Sequence, residues 1–313
     1  MEYPRIGIVL VHLNSYRHTS VCLRSLETMI YPNAHVIVVD NGSSDNSGKQ
    51  LQSEFPNVTH IRSQENEGFT GGNNIGIQYA MQNGCDHVLL LNNDTIVTPG
   101  FLEPLVERLL SDEMIAAVSG KILYYPEAIG GQENIIWYAG VFQKWHTGYQ
   151  HYGVLEEDTG KFNVAKPTEY ASGCLMLMRG DMIKKIGALA KEYFIYWEES
   201  DWCLHARSLG YSSWYEPRSV IYHNFTNAAL GNEKPFYMYM QMRNSFIFAK
   251  RNYHGMLTLR HNLLYPIYIF YYWLRLVSSK NFPAANAIFK GIVDYFKGYR
   301  GKEHLKERGF IRS

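Results

Sequence analysis

This chain of 313 residues is poor in several things. It has four cysteines (Cys22, Cys85, Cys174, Cys203), widely spaced and without a C-x-x-C pair. That argues against a disulfide framework and for thiols serving as small core residues in a reduced, cytosolic setting. No opening stretch joins a basic start, an apolar run and a small-residue cleavage site, so no secretory signal is expected. The most apolar run, residues 263–274 (LLYPIYIFYYWL), falls short of the about 20 residues that span a bilayer, and Pro266 and Arg275 further disfavour a span. Internal repeats and low-complexity segments are lacking. After the first apolar run stands His12-Leu13-Asn14-Ser15, where a dinucleotide fold needs glycines and a nucleotidyltransferase a basic glycine loop. Dehydrogenase and nucleotidyltransferase chemistry are therefore disfavoured.

The apolar fraction of 46% and the charged fraction of 19% are those of an ordinary globular chain. A net charge of +1 hides an asymmetry. Residues 233–313 carry 14 Lys+Arg against 4 Asp+Glu (+10), and residues 1–232 carry 16 against 25 (−9). An acidic body with a basic tail points to a surface that meets polyanions or anionic lipid. The apolar run of the tail holds six aromatics with Arg and Lys on both sides. It suits a helix lying in a membrane interface, or one packed on the body or on another subunit.

Residues 6–11 (IGIVLV), 36–39 (VIVV) and 88–91 (VLLL) are short unbroken apolar runs, as expected of parallel strands covered on both faces. Amphipathic stretches at 19–30, 73–83 and 101–110 read as helices between and after them, the second capped by Gly84. Strand alternating with helix predicts a doubly wound, mostly parallel α/β sheet. Residues 111–166 look irregular, with strands and glycine-rich turns. Residues 170–178 (YASGCLMLM) then read as a buried strand, 199–209 as a helix ended by Gly210, and 220–223 as a last strand.

Ligands of such sheets bind at the carboxyl ends of the strands. His12 and Asn14 follow the first run, Asp40 the second, and Asn92-Asn93-Asp94-Thr95 the third. Asp40 could bind a pyrimidine N3–H or a ribose hydroxyl, or simply initiate the turn into Asn41-Gly42. Asp94 offers the hard oxygen that a divalent cation on a diphosphate needs, or caps the next segment. Gly68-Phe69-Thr70-Gly71-Gly72-Asn73-Asn74 opens a helix whose free N–H groups could face phosphate. Trp197-Glu198-Glu199-Ser200-Asp201 sets three carboxylates ahead of a helix. They favour the helix dipole, and burial beside like charge would raise one towards general-base range. His223 ends the last strand, as a structural residue or a ligand.

Taken in order, IGIVLVHLN, VIVVDNGSSDNS, NEGFTGGNN, LLLNNDT, YASGCLMLMRG, FIYWEESDWCLHARSLGY and PRSVIYH resemble the family-two inverting glycosyltransferases of GT-A fold, over about residues 6–223. The GFTGGNN and LNNDT forms are most similar to the bacterial rhamnosyltransferase-type subgroup. The resemblance implies a GT-A catalytic domain over 1–232, with a nucleotide-sugar half to about 110 and an acceptor half after it, and a basic, aromatic helical tail over 233–313. It implies that Asp40 contacts the base, with His12, Asn14, Gly72, Asn73 and Asn93 around the nucleotide. Asp94, with His223, would hold Mg²⁺ or Mn²⁺. Glu199 would be the general base, supported by Glu198 and Asp201. This chain departs from the family pattern at Asn92, which replaces the first acid of the D-x-D motif. It also departs at Glu199, which stands for an aspartate, at His12-Leu13, which replaces Thr-Tyr, and at Asn74, where an arginine often reaches the diphosphate.

The activity so implied is transfer of a sugar, rhamnose by the subgroup, from a dTDP- or UDP-linked donor to a saccharide or lipid-linked acceptor in surface polysaccharide assembly. Nucleic acid is not an expected partner. The setting would be cytoplasmic, peripheral on the inner face of the membrane. The rival reading is a non-catalytic, membrane-associated nucleotide-sugar-binding module.

Overall fold

The computed structural model of the chain describes residues 3–144, 148–224 and 234–311. The elements run β1 (Ile6–His12), α1 (Tyr16–Leu26), β2 (Ala34–Asp40), α2 (Ser47–Glu54), β3 (Thr59–Arg62), α3 (Gly68–Gln82), β4 (His87–Leu91), β5 (Thr95–Val97), α4 (Leu102–Leu110) and β6 (Ile115–Tyr124). Then come β7 (Ile136–Tyr138), β8 (Val141–Lys144), β9 (Gly148–His151), β10 (Lys166–Thr168), β11 (Leu175–Arg179), α5 (Gly180–Ile186), α6 (Glu198–Ser208) and β12 (Ser212–His223). Four helices follow: α7 (Pro235–Asn252), α8 (Met256–Ser278), α9 (Phe282–Phe296) and α10 (Glu303–Glu307).

The main sheet has the order β10-β12-β6-β11-β4-β1-β2-β3, with β5 on β12 and β7 on β6. β3, β2, β1 and β4 are parallel neighbours; β11 enters antiparallel between β4 and β6; β6 and β12 are parallel again. The apolar runs explain the parallel half, because strands covered by helices on both faces need apolar side chains on both. All five residues of β4 are buried. Register pairs His12 with Asp40 and Val9 with Leu90, so the ends of β1, β2 and β4 share one rim of the sheet.

The sequence reading and the structure part in instructive places. Helix α3 begins at Gly68, five residues before the expected 73, so the glycine stretch is itself helical. A Cβ on Gly72 would stand 2.7 Å from Val11 Cγ1, and one on Gly76 2.2 Å from Val9 Cγ1. Glycine lets the helix lie against β1, and that packing overrides its poor helix propensity. In the stretch expected to mix strands and glycine-rich turns irregularly, β6 is one regular ten-residue strand buried throughout. Its apolar run is broken by Ser119, Gly120 and Lys121, and Lys121 is buried because Asp158 pairs with it at 2.6 Å. The expected strand at 220–223 is the end of the twelve-residue β12, whose pairing with β6 shifts between Glu216 and Val220.

After β12 the chain turns helical. Helices α7 to α10 share a core with the loop before α6, through Phe194, Tyr239, Leu276, Ile288 and Leu305. Lys302 and Lys306 pair with Glu65, and Lys302 also with Glu67, ahead of α3. The expected boundary at 232–233 lies outside the described residues. Among the described residues no helix is long and apolar enough to cross a membrane.

Candidate active site

At the rim of the parallel half, the loop after β2 is folded back on the end of β1. Asn14, with φ of 47°, accepts from the Ser44 amide at 2.9 Å, and its own amide donates to Ser43 Oγ at 3.0 Å. Asp40 accepts from the Ser43 amide (2.9 Å) and from Arg62 (2.7 Å), with Gly48 packed so closely on it that no Cβ would fit. Asn93 donates to Thr19 Oγ1 at 2.7 Å and thereby ties the end of β4 to α1.

Three expected contacts have other work here. His12 is fully buried and hydrogen-bonds Thr19 Oγ1 and Ser47 Oγ, each at 2.8 Å, with its two ring nitrogens. Burial outweighs Asp40 and Asp45 and lowers its pKa, so it is a neutral brace between α1 and α2. Gly72 lies beneath α3 against Val11, and Asn73 is buried with its side chain on the Phe69 carbonyl. Nor is the start of α3 open. The Glu67, Gly68 and Thr70 amides donate to Asn41 Oδ1, Asn66 Oδ1 and the Phe194 carbonyl. Amides already satisfied by protein acceptors do not form a phosphate cradle.

Asp94 and His223, 129 residues apart, meet at 3.1 Å because β12 pairs His223 with Thr95 of β5. Asp94 keeps 29% of its side chain exposed. Burial works against its charge, but the His223 imidazole and their hydrogen bond win, and the carboxyl titrates below its ordinary value. Burial pulls His223 down, and Cys174 and Asp94 together push it up. Because burial also raises the Cys174 thiol, that sulfur is uncharged near neutrality, and Asp94 supplies the charge that holds the proton on His223. The Asp94 carboxylate offers the hard oxygen that Mg²⁺ or Mn²⁺ takes beside phosphate and water, and His223 would join it as a ligand only once the cation displaces its proton. No group of three His, Cys, Asp or Glu gathers among the described residues.

Glu198 and Glu199 open α6. Glu198 is 3% exposed and Glu199 partly exposed, and each has a buried Oε2 with no hydrogen-bond partner among the described residues. Burial raises both carboxyls, and Glu199 raises Glu198 further. Two adjacent buried carboxyls share a proton over a range where isolated ones would have lost both. Asp201, expected to assist them, is instead a brace. It accepts from Tyr193 Oη (2.9 Å), Arg251 Nε (2.9 Å) and Asn252 Nδ2 (2.6 Å), which fix α6 to the end of α7.

The two clusters are joined through one short segment. Gly173 lies with its Cβ position 3.8 Å from Glu199 Cβ, while its neighbour Cys174 touches His223 and stands beside Asp94. Trp137 of β7 flanks His223 edge to face at 4.8 Å. Sequence reasoning missed Trp137 and also Arg243 and Asn244 of α7. A fully buried Arg-Asn pair among Met240, Met242, Ile247 and Phe248 was the available signal, since an apolar helix face rarely carries a charge without a partner for it.

Comparison with known proteins bears on this site. The family described as Glycosyl transferase family 2 matches residues 8–187. The low-salt glycan biosynthesis hexosyltransferase Agl10 of Haloferax volcanii is 26% identical over 243 residues, 77% of this chain and 74% of that protein. The N-acetylglucosaminyl-diphospho-decaprenol L-rhamnosyltransferase of Mycobacterium tuberculosis is 22% identical over 270 residues, 80% and 85% of the two chains. The mannosyltransferase PcManGT of Pyrobaculum calidifontis, solved with GDP-Man and Mn²⁺, superposes with a TM-score of 0.57 at 16% identity, over 92% of this chain and 74% of that one.

Proposed function

The chain belongs to glycosyl transferase family 2, and from that membership we propose an inverting, metal-dependent transfer of a sugar from a nucleotide-diphosphate donor. The carrying observation is the pair of carboxyls at the start of α6, each with a buried unpartnered oxygen, with Glu199 against Gly173, whose neighbour Cys174 touches His223 beside Asp94. Asp40 and Asn14 hold the rim where the base and ribose lie. Asp94, with His223, would hold Mg²⁺ or Mn²⁺, which would supply positive charge against the leaving diphosphate. Glu199 takes the proton of the attacking hydroxyl, and its raised pKa suits a base working near neutrality. A single attack from the face opposite the leaving group inverts the anomeric centre.

The donor carries thymine or uracil, which present the same N3–H, and the rhamnosyltransferase-type sequence pattern favours dTDP-rhamnose. The acceptor is a saccharide on a lipid carrier, in surface glycan assembly. Support for the lipid comes from α8 and α9. Ile267, Phe270, Phe289 and Phe296 are at least half exposed, beside exposed Arg275, Lys290 and Lys297. The one acid of those two helices, Asp294, is buried against Arg308. Such a face suits an anionic bilayer surface and supports a peripheral position on the inner face of the cytoplasmic membrane.

The test is nucleoside diphosphate release from dTDP-rhamnose and UDP-sugars with Mn²⁺ and a polyprenyl-diphosphate saccharide, followed by NMR of the new linkage. Metal-dependent release with an inverted product supports the reading. A donor bound but never cleaved would favour the non-catalytic module. Flotation on vesicles containing phosphatidylglycerol tests the membrane face. Phe289→Glu with Phe296→Glu should sink the protein without lowering its Tm, and equal flotation would remove the idea.

A further inference from the structure

We propose that Arg243 and Asn244 of α7 are positioning residues that hold the loop delivering Glu198 and Glu199. This inference rests on the reading of Glu199 as the base. It also extends the working site into α7.

The loop that leads into α6 has an unusual backbone. Phe194, Tyr196 and Trp197 have φ of 69°, 70° and 80°, the left-handed region that side chains other than glycine avoid. Such a run persists only if its surroundings over-determine it. Its carbonyls are held one after another. Asn244 Nδ2 donates to the carbonyls of Tyr193 (3.0 Å), Ile195 (2.8 Å) and Tyr196 (3.0 Å). The Phe194 carbonyl accepts from the Thr70 amide at 3.0 Å. Arg243 Nη2 adds a second bond to Tyr193 (2.8 Å), and its Nε donates to Asn244 Oδ1 (3.1 Å), which fixes the amide the right way round. Both side chains are fully buried.

The same helix grips the loop on either side of this clamp. Gln241 accepts from Trp197 Nε1 at 2.8 Å, and Arg251 and Asn252 hold Asp201 on the first turn of α6. The glutamates therefore reach the site from a conformation that α7 imposes, and their burial depends on it. The titratable groups around Glu199 are Glu198, Tyr170, Tyr196 and Cys203. Burial raises the phenols and the thiol, so they stay neutral, and solvation of the loop is what would move the base.

Asn244→Ala and Arg243→Lys test the inference. The readouts are hydrogen exchange of the 192–201 peptide, donor affinity, and the pH dependence of Mn²⁺-supported nucleoside diphosphate release from the donor. Asn244→Ala should speed exchange in that peptide and lower kcat by about 10²-fold, as misplacement of a reacting group does, with donor affinity kept. The acid limb should move down towards pH 4.5, the ordinary glutamate value, as the base gains water. Arg243→Lys should show the same pattern more weakly, because the Asn244 bonds remain. Unchanged loop exchange and kcat overturn the inference. So does a kcat loss that merely tracks the folded fraction with the limb in place. If Asn244→Ala does not fold, Asn244→Ser keeps a donor on a shorter arm and is read the same way. Full turnover by Glu199→Gln would instead sink the base reading, and the loop exchange then measures the clamp alone.

Discussion

The glutamate pair at the start of α6 makes the sharpest prediction about chemistry. Glu199→Gln keeps shape and hydrogen-bonding reach and removes basicity. Positioned general bases contribute about 10²–10⁴-fold, so kcat should fall by that factor, equivalent to about 3–5 kcal/mol of barrier. On the proposed reading Asp40 and Asp94 hold the donor and Glu199 does not, so donor affinity should not change. The pH profile carries the sign. Burial raises Glu199 above 4.5, and a base works only when deprotonated, so the acid limb of kcat lies above pH 4.5 and activity rises with pH through it. Glu198 is the more buried of the two and keeps its proton to higher pH, so near the limb it is a neutral donor that holds Glu199 down. Glu198→Ala removes that donor and should push the limb further up, whereas Glu198→Gln, which still donates, should leave it nearly in place. Stopped assays of nucleoside diphosphate release between pH 4 and pH 9 read all three variants. A limb that ignores Glu198, or near-full turnover by Glu199→Gln, refutes the reasoning.

Other consequences concern stability. Gly76→Ala would force a Cβ to within 2.2 Å of Val9 Cγ1, on a strand with no free volume. Overpacking costs about 1–3 kcal/mol and the better helix former returns under 1 kcal/mol. Calorimetry should show a lower Tm, and an unchanged one would mean that α3 sits farther from β1. Asp201→Ala frees Tyr193, Arg251 and Asn252 together and should destabilise by roughly 1–3 kcal/mol in denaturant titration. A neutral result would show that these bonds do not hold α6 to α7. Lys302 and Lys306 hold Glu65 down to about 2, so the grip of α10 on the α3 loop is complete above pH 4.5 and lost as pH falls through about 2. Exchange of peptide 302–311 should rise in that window, and earlier at high salt.

How much of this was legible in the sequence depends on whether the cause is local. The strands of the parallel half could be read because burial on both faces forces unbroken apolar runs, and the residues closing them, Asn14, Asp40 and Asp94, stand at the common rim. Glu198 and Glu199 were visible as acids at a helix start. The true start of α3 was not, because Gly68-Phe69-Thr70-Gly71-Gly72 is helical only by virtue of the sheet beneath it. The same holds for His12, whose polarity marks a strand end in either role. Two hydroxyl partners from α1 and α2 decide in favour of the brace. Asp201 looked equivalent to its neighbours by spacing, and only the arrival of Arg251 and Asn252, some 50 residues on, separates it from them. Long-range partners of this kind leave little trace in local pattern, which is also why the Arg243–Asn244 clamp went unread.

The most direct measurement is the anomalous signal of Mn²⁺ in crystals grown with MnCl₂ and a nucleoside diphosphate. The account predicts one strong peak between the Asp94 carboxylate and His223 Nε2, with the β-phosphate on it and Glu199 facing it across Gly173–Cys174. A nucleotide seated at the rim with the manganese elsewhere, or with Asp94 and Glu199 turned to different surfaces, would contradict it.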